Sequence, residues 1–230
     1  MLLQTLSVTP DSTAATPVAA GAEQSISVLD LLAAGGWIMI PIAVLLFVTI
    51  YLFVERWLYL KKATALGASF EASFWGLVQS GNLNAARQLC RSDSSAVSRV
   101  LEKGLSRIGT PIPQIEQAMG NTAQLELSYM EKNLGLLGTV AAIAPMFGFL
   151  GTVAGMIRAF HDISVSNNLS IGTISGGIYE KMITSASGLA VGILAYILLT
   201  ILNGMVDRAV ARLQAATNQF LDVLYQPVSA

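Results

Sequence analysis

Thr152 lies inside the charge-free run GFLGTVAGM, Gly148 to Met156. A hydroxyl in so apolar a setting needs a hydrogen-bond partner or a water-filled path, because an unpaired polar group taken out of water costs roughly 1–3 kcal/mol. A second set of polar side chains falls farther along, Glu180, Thr184 and Ser185. Hydroxyls donate and accept without carrying charge. A carboxylate holds a proton more firmly where the dielectric is low. Hydroxyls with a carboxylate close by in so apolar a stretch fit a shared cavity, a partner contact or an ion path.

Periodicity places these residues on defined faces. Ala141, Pro145, Gly148, Thr152, Gly155 and Ala159 recur at alternating steps of three and four, one stripe of a helix. Lys181, Ser185, Gly188 and Gly192 make a second stripe, with Gly177, Glu180, Thr184 and Ser187 beside it. Two stripes of small residues let backbones approach closely, so Pro145, Gly148, Gly151, Gly155, Gly188 and Gly192 read as helix-packing residues. The plain alternative is that the hydroxyls only pack and bond back to their own helices. Glu180 argues for more than packing, since intramembrane carboxylates cost about 2.5–3.5 kcal/mol on insertion scales and face cavities, partners or ion paths. It has an alternative place too, at the outer interface beside Arg158, with Lys181 reaching outward.

The elements that carry these stripes follow from composition. The chain is 53% hydrophobic and 12% charged, with net charge -1. No Asp, Glu, Lys or Arg occurs from Leu31 to Val54, Asn133 to Ile157 or Met182 to Val206. Each run exceeds the roughly 20 residues that cross a bilayer as a helix. The expected fold class is therefore an all-α membrane protein with three transmembrane helices. A soluble bundle of buried helices would need polar faces that these runs lack. Basic residues set the orientation: none precedes the first span, while Arg56 to Lys132 contains nine and Arg208 and Arg212 follow the third. That places the N-terminus outside and the middle segment and C-terminus in the cytoplasm.

The chain accordingly divides into a flexible periplasmic extension (1–26), a first transmembrane helix (27–60) and a cytoplasmic helical segment (61–113). A long helix including the second span (114–162), a periplasmic turn (163–172) and a third transmembrane helix with cytoplasmic tail (173–230) complete it. From Gln114 the helical pattern meets no strong breaker before the second span, so one continuous helix is expected, projecting well beyond the bilayer. In the middle segment Arg87, Arg91, Arg99, Lys103 and Arg107 read as solvated faces of short amphipathic helices.

At the two stripes the chain resembles the ExbB, TolQ and MotA family of proton-motive-force stator proteins. One signature appears as Ala144, Pro145, Gly148, Gly151, Thr152, Val153 and Gly155, the other as Gly177, Ile178, Glu180, Thr184, Ser185, Gly188 and Leu189. The resemblance covers roughly Ser27 to Leu224, with the same order of spans. It implies a multi-pass protein of the bacterial inner membrane, a homo-oligomeric ring, pentameric in form, enclosing single-span ExbD-like partners that carry the proton-binding Asp. It further implies that Thr152, Ser185, Glu180 and Thr184 lie on the proton pathway, and that a TonB-like protein receives the work. The external extension is more similar to the ExbB branch than to TolQ, whose role in envelope or gliding motors is the alternative. The chain departs from the pattern at Ser185, where Thr is usual, and at Lys181, where a small residue is usual. A non-conducting membrane scaffold is the reading from another class.

Enzymatic chemistry has no candidate residues. Cys90 and His161 are single and fall in different compartments, so they form neither a dyad nor a metal pair. Cys90 reads as a small core residue and His161 as a polar neighbour of Asp162. No cofactor, metal or nucleic acid is expected.

Overall fold

A computed structural model describes residues 37–65, 67–166 and 171–225. The extension assigned to 1–26, the start of the first charge-free run and most of the connection around 167–170 lie outside the described residues. The fold is all helical, as expected from composition. In chain order the elements are α1 (Met39–Ala63), α2 (Ala68–Gln79), α3 (Leu83–Ser92), α4 (Ala96–Ser106), α5 (Ile112–Glu131), α6 (Leu134–Ser166) and α7 (Ile171–Tyr225). Three of the helical stretches are long and apolar enough to cross a membrane: Met39–Ala63, Ile112–Val165 and Ser175–Tyr225. α7 has 55 residues. At 1.5 Å per residue that is about 80 Å, more than twice the ~30 Å hydrocarbon core, so a large part stands outside it.

The short helices start and stop where local chemistry dictates. Asn82 caps α3 by accepting from the Ala85 N–H at 3.2 Å, and Ser95 caps α4 by accepting from Ser98 N–H at 3.2 Å. Gly81 (φ 75°) and Gly109 (φ 98°) supply the left-handed turns between helices. These helices close a bundle against the far parts of α5 and α7, around Phe74, Leu105, Met119, Met130 and Phe220. Gly104 makes the centre possible: a Cβ there would stand 2.7 Å from both Met119 Sδ and Phe220 Cε1. Cys90 is 2% exposed in this core, and burial pushes its thiol up to about 12.

Two expectations change here. The continuous helix from Gln114 is interrupted at Lys132 and Asn133, where Asn133 takes φ 65° and α6 starts at Leu134. Asparagine is among the few residues that enter the left-handed region readily, and periodicity alone does not register a one-residue break. The basic residues of the middle segment also divide. Arg91, Lys103 and Arg107 are exposed as read, but Arg87 and Arg99 are half-buried. Arg99 donates from Nε and Nη2 to both carboxylate oxygens of Glu126, at 2.6 and 2.5 Å, and Glu126 is 5% exposed. That hydrogen-bonded carboxylate holds the guanidinium pKa above its ordinary value. Arg87 donates from Nη2 to the Leu105 carbonyl at 3.1 Å.

α1 lies against the other two long helices. Met39 and Ile42 of α1 meet Ala144 of α6 and Val191 of α7 in a small apolar core. At the other end of α1, buried Arg56 donates to the Tyr129 carbonyl at 3.2 Å, satisfying an acceptor at the end of α5. Arg56 also pairs with Glu55 and lies 5.2 Å over the Tyr59 ring.

Candidate functional site

α6 and α7 run antiparallel along a seam that is backbone to backbone at Gly148 and Gly188. A Cβ on Gly188 would lie 2.7 Å from the Ala144 carbonyl oxygen and 2.8 Å from Gly148 Cα. One on Gly148 would lie 3.0 Å from the Ser185 carbonyl oxygen, and one on Gly192 2.6 Å from Pro145 Cγ. Only glycine fits at such spacing. Pro145 adds a second reason, because it has no N–H for the Ala141 carbonyl one turn back. That carbonyl instead lies at the seam, 3.1 Å from where a Gly192 Cβ would stand. Gly151 and Gly155 meet Thr184 and Lys181 of α7 farther along the same seam.

The polar residues separate across the seam. On α6, Gly151 turns toward α1, since its Cβ would approach Ile38 at 3.4 Å as well as Thr184 Cγ2 at 2.5 Å. Thr152 is displaced 100° from it, onto the opposite flank. On α7, Thr184 and Val191 share the flank facing α1, and Ser185 falls on the other. Thr152 and Ser185 are therefore on one rim, turned away from α1. Because Gly151 meets Thr184 and Gly148 meets Ser185, the two hydroxyls stand within about one helical turn, ~5 Å along the axis. Both are half-buried.

Thr152 Oγ1 donates to the Phe149 carbonyl at 2.7 Å, which leaves its oxygen lone pairs as acceptors. Thr184, grouped by sequence with the lining hydroxyls, is 1% exposed and packed on Gly151. It sits inside the three-helix contact rather than on the rim. The reason is the 100° step between consecutive residues, which sends Thr184 and Ser185 to opposite flanks. Glu180 is in the backbone of α7; its side chain lies outside the described residues.

Sequence reasoning left two features unseen. The first is Lys181, whose alkyl chain crosses Gly155 so closely that a Cβ there would overlap it. The departure at Lys181 is thus matched by the glycine opposite. The second is buried Glu126, which falls on the apolar stripe of Ile115, Met119 and Met130, a signal that was present in the spacing. The helix expected to end at 162 runs on to Ser166, so α6 takes in the first residues assigned to the turn; on it His161 Nδ1 and Asp162 Oδ1 are 3.6 Å apart and both exposed. No group of His, Cys, Asp and Glu suited to a metal occurs among the described residues.

Three membrane-length apolar helices, two of them joined by a glycine seam, define the class as a helical membrane protein. The model of the MotA/TolQ/ExbB proton channel family matches residues 92–215, more than half of the chain, and the chain belongs to this family. It is similar to a biopolymer transport protein ExbB homolog of Methanothermobacter thermautotrophicus, 29% identical, covering 82% of this chain and 67% of that one. It is also similar to a biopolymer transport ExbB-like protein of Synechocystis, 22% identical over 84% and 92% of the two chains. The Tol-Pal system protein TolQ of Pseudomonas aeruginosa is 23% identical over 70% and 74%.

Proposed function

We propose that this chain is the ring-forming subunit of an inner-membrane motor that couples the proton-motive force to mechanical work through a single-span, Asp-bearing ExbD-like partner. The observation that carries the reading is the placement of Thr152 and Ser185 at one level on the rim of the α6–α7 seam away from α1. A ring of copies, five in the proposed assembly, turns those rims inward toward the partner. The partner carboxylate, disfavoured as an anion in a low-dielectric pore, takes a proton. Thr152 and Ser185 pass that proton with trapped water by donating and accepting in turn. Glu180 acts as an electrostatic neighbour of the path. Thr184 holds the seam closed. Neutralising the partner carboxylate changes its contacts with the ring and allows relative motion.

The same reading places the N-terminus in the periplasm and the α2–α5 bundle in the cytoplasm, where basic residues accumulate. Outer-membrane transport through a TonB-like protein is the proposed work. A TolQ-like role in the envelope is the second reading, favoured by the similarity to TolQ over 70% of this chain.

The test is proton-driven work by cells carrying Thr152→Ala or Ser185→Ala, beside Thr139→Ala as control. Thr139 also lies on α6 and bonds its own helix, at the Gly135 carbonyl, but is exposed away from the rim. Loss in the first two with normal assembly, and none in the third, is expected. Intact coupling in Thr152→Ala would overturn the relay, and lost assembly before lost coupling would favour a scaffold.

A further inference from the structure

A cavity of about 490 Å³ opens where α1 meets the bundle, lined by Tyr59, Lys62, Ser94, Arg99, Glu126 and Tyr129. Apart from Glu126, these side chains offer donors: an ammonium, a guanidinium, two phenols and a hydroxyl. The single carboxylate is 5% exposed, and both its oxygens are taken by Arg99. Of the acids nearby, Asp93 accepts from Ser95 Oγ at 2.5 Å and Glu55 is paired with Arg56. Lys62 has no ion-pair partner among the described residues and is exposed. What the cavity presents to a ligand is therefore positive charge and hydrogen-bond donors, the complement of a phosphate.

Its depth narrows the source of that phosphate. Val54 ends the first charge-free run, and Tyr59 to Lys62 follow five to eight residues later. At 1.5 Å per residue this is about 8–12 Å, at and just past the outer edge of a headgroup layer of about 5–8 Å on each side, so a headgroup phosphate is met there by a long side chain such as that of Lys62 reaching back toward it. Lys61 Nζ lies 5.4 Å over the Trp57 ring, an interfacial aromatic and cation pair at the same level. Exposed Val54 and Leu58 continue the apolar surface immediately above.

We propose that this cavity binds the phosphate of an anionic phospholipid headgroup from the leaflet on the bundle side, with Lys62 as its main charge and Tyr59, Ser94, Arg99 and Tyr129 as donors. The site joins α1 to α4 and α5, so a bound lipid braces the Arg56 and Tyr129 contact. This inference rests on the membrane spans and the cavity, not on the proton path.

The experiment is native mass spectrometry of the full-length protein in mild detergent, with phosphatidylglycerol or phosphatidylcholine added. Lys62→Glu is compared with Lys61→Glu, the same charge change on the neighbouring residue that faces Trp57. Lys62→Glu is expected to weaken phosphatidylglycerol retention about tenfold or more relative to Lys61→Glu, and phosphatidylcholine retention not at all. Lys62→Gln, a milder change at an exposed position, is expected to show an intermediate loss. Equal losses in Lys61→Glu and Lys62→Glu, or none in either, would overturn the site. Inorganic phosphate binding with the same Lys62 dependence and no preference for lipid would overturn the headgroup as its source. A changed copy number with unchanged lipid per copy would reassign the cavity to a contact between copies.

Discussion

Gly188→Ala is the sharpest probe of the seam, because it adds one methyl group where the opposing atoms are backbone. The new Cβ would stand 2.7 Å from the Ala144 carbonyl oxygen, 2.8 Å from Gly148 Cα and 2.9 Å from Gly148 N. Ordinary contact begins near 3.4 Å, so α6 and α7 must part by about 0.7 Å. No rotamer change relieves this, since neither an opposing carbonyl nor a Cα can turn aside. Overpacking of this kind costs about 1–3 kcal/mol. The better helix propensity of alanine returns about 1 kcal/mol, leaving a net loss of up to about 2 kcal/mol. Gly204 on the same helix is the matched control, because a Cβ there meets nothing within 4 Å. Gly204→Ala is expected to stabilise by about 0.5–1 kcal/mol. Thermal unfolding in detergent, followed by circular dichroism, separates them: Gly188→Ala lowers Tm by up to about 8 °C and Gly204→Ala raises it. If Gly188→Ala raised Tm as Gly204→Ala does, the close approach of the two backbones would be refuted, and with it the shared rim of Thr152 and Ser185.

Gly155→Ala should be destabilising beside Lys181 and recover in the double variant Lys181→Ala, because the obstacle is a side chain that truncation removes; a coupling energy near zero in the double-mutant cycle would refute the contact. Arg99→Ala should cost about 3 kcal/mol or more by leaving the Glu126 carboxylate buried and unpaired, and Glu126→Gln less, since the Arg99 side chain is 39% exposed and water reaches it. Equal losses in chemical denaturation would contradict that asymmetry. Asn133→Gly should be neutral and Asn133→Val should lose about 1–2 kcal/mol, because only the valine resists the left-handed conformation; thermal melts decide it. Cys90, with its thiol raised to about 12, is expected to stay unmodified by maleimide at pH 8 until the bundle unfolds; prompt labelling of the folded chain would place it outside the core.

What residue types alone determine is the set of spans and the seam. Charge is expensive inside a bilayer, so its absence over three runs marks membrane helices without any knowledge of tertiary contacts. Glycines at three and four residue steps mark a face that must meet another backbone, and the helix repeat puts Thr152 and Ser185 near equal depth because both are counted from the same connection. The family signature resides in those same residues, so it too was legible.

Tertiary structure decided the rest, and each case has a local cause. Thr184 and Ser185 are equivalent as neighbours in sequence; only the position of α1 makes one flank buried and the other a rim. The break at Lys132 and Asn133 depends on one residue's backbone angle and on Arg56, 73 positions away, bonding the Tyr129 carbonyl. Arg99 looked like a solvated charge because its partner Glu126 lies 27 residues farther on, on a helix face otherwise apolar. Periodicity describes which residues share a face of one helix, whereas these outcomes depend on which second helix covers that face and at what angle.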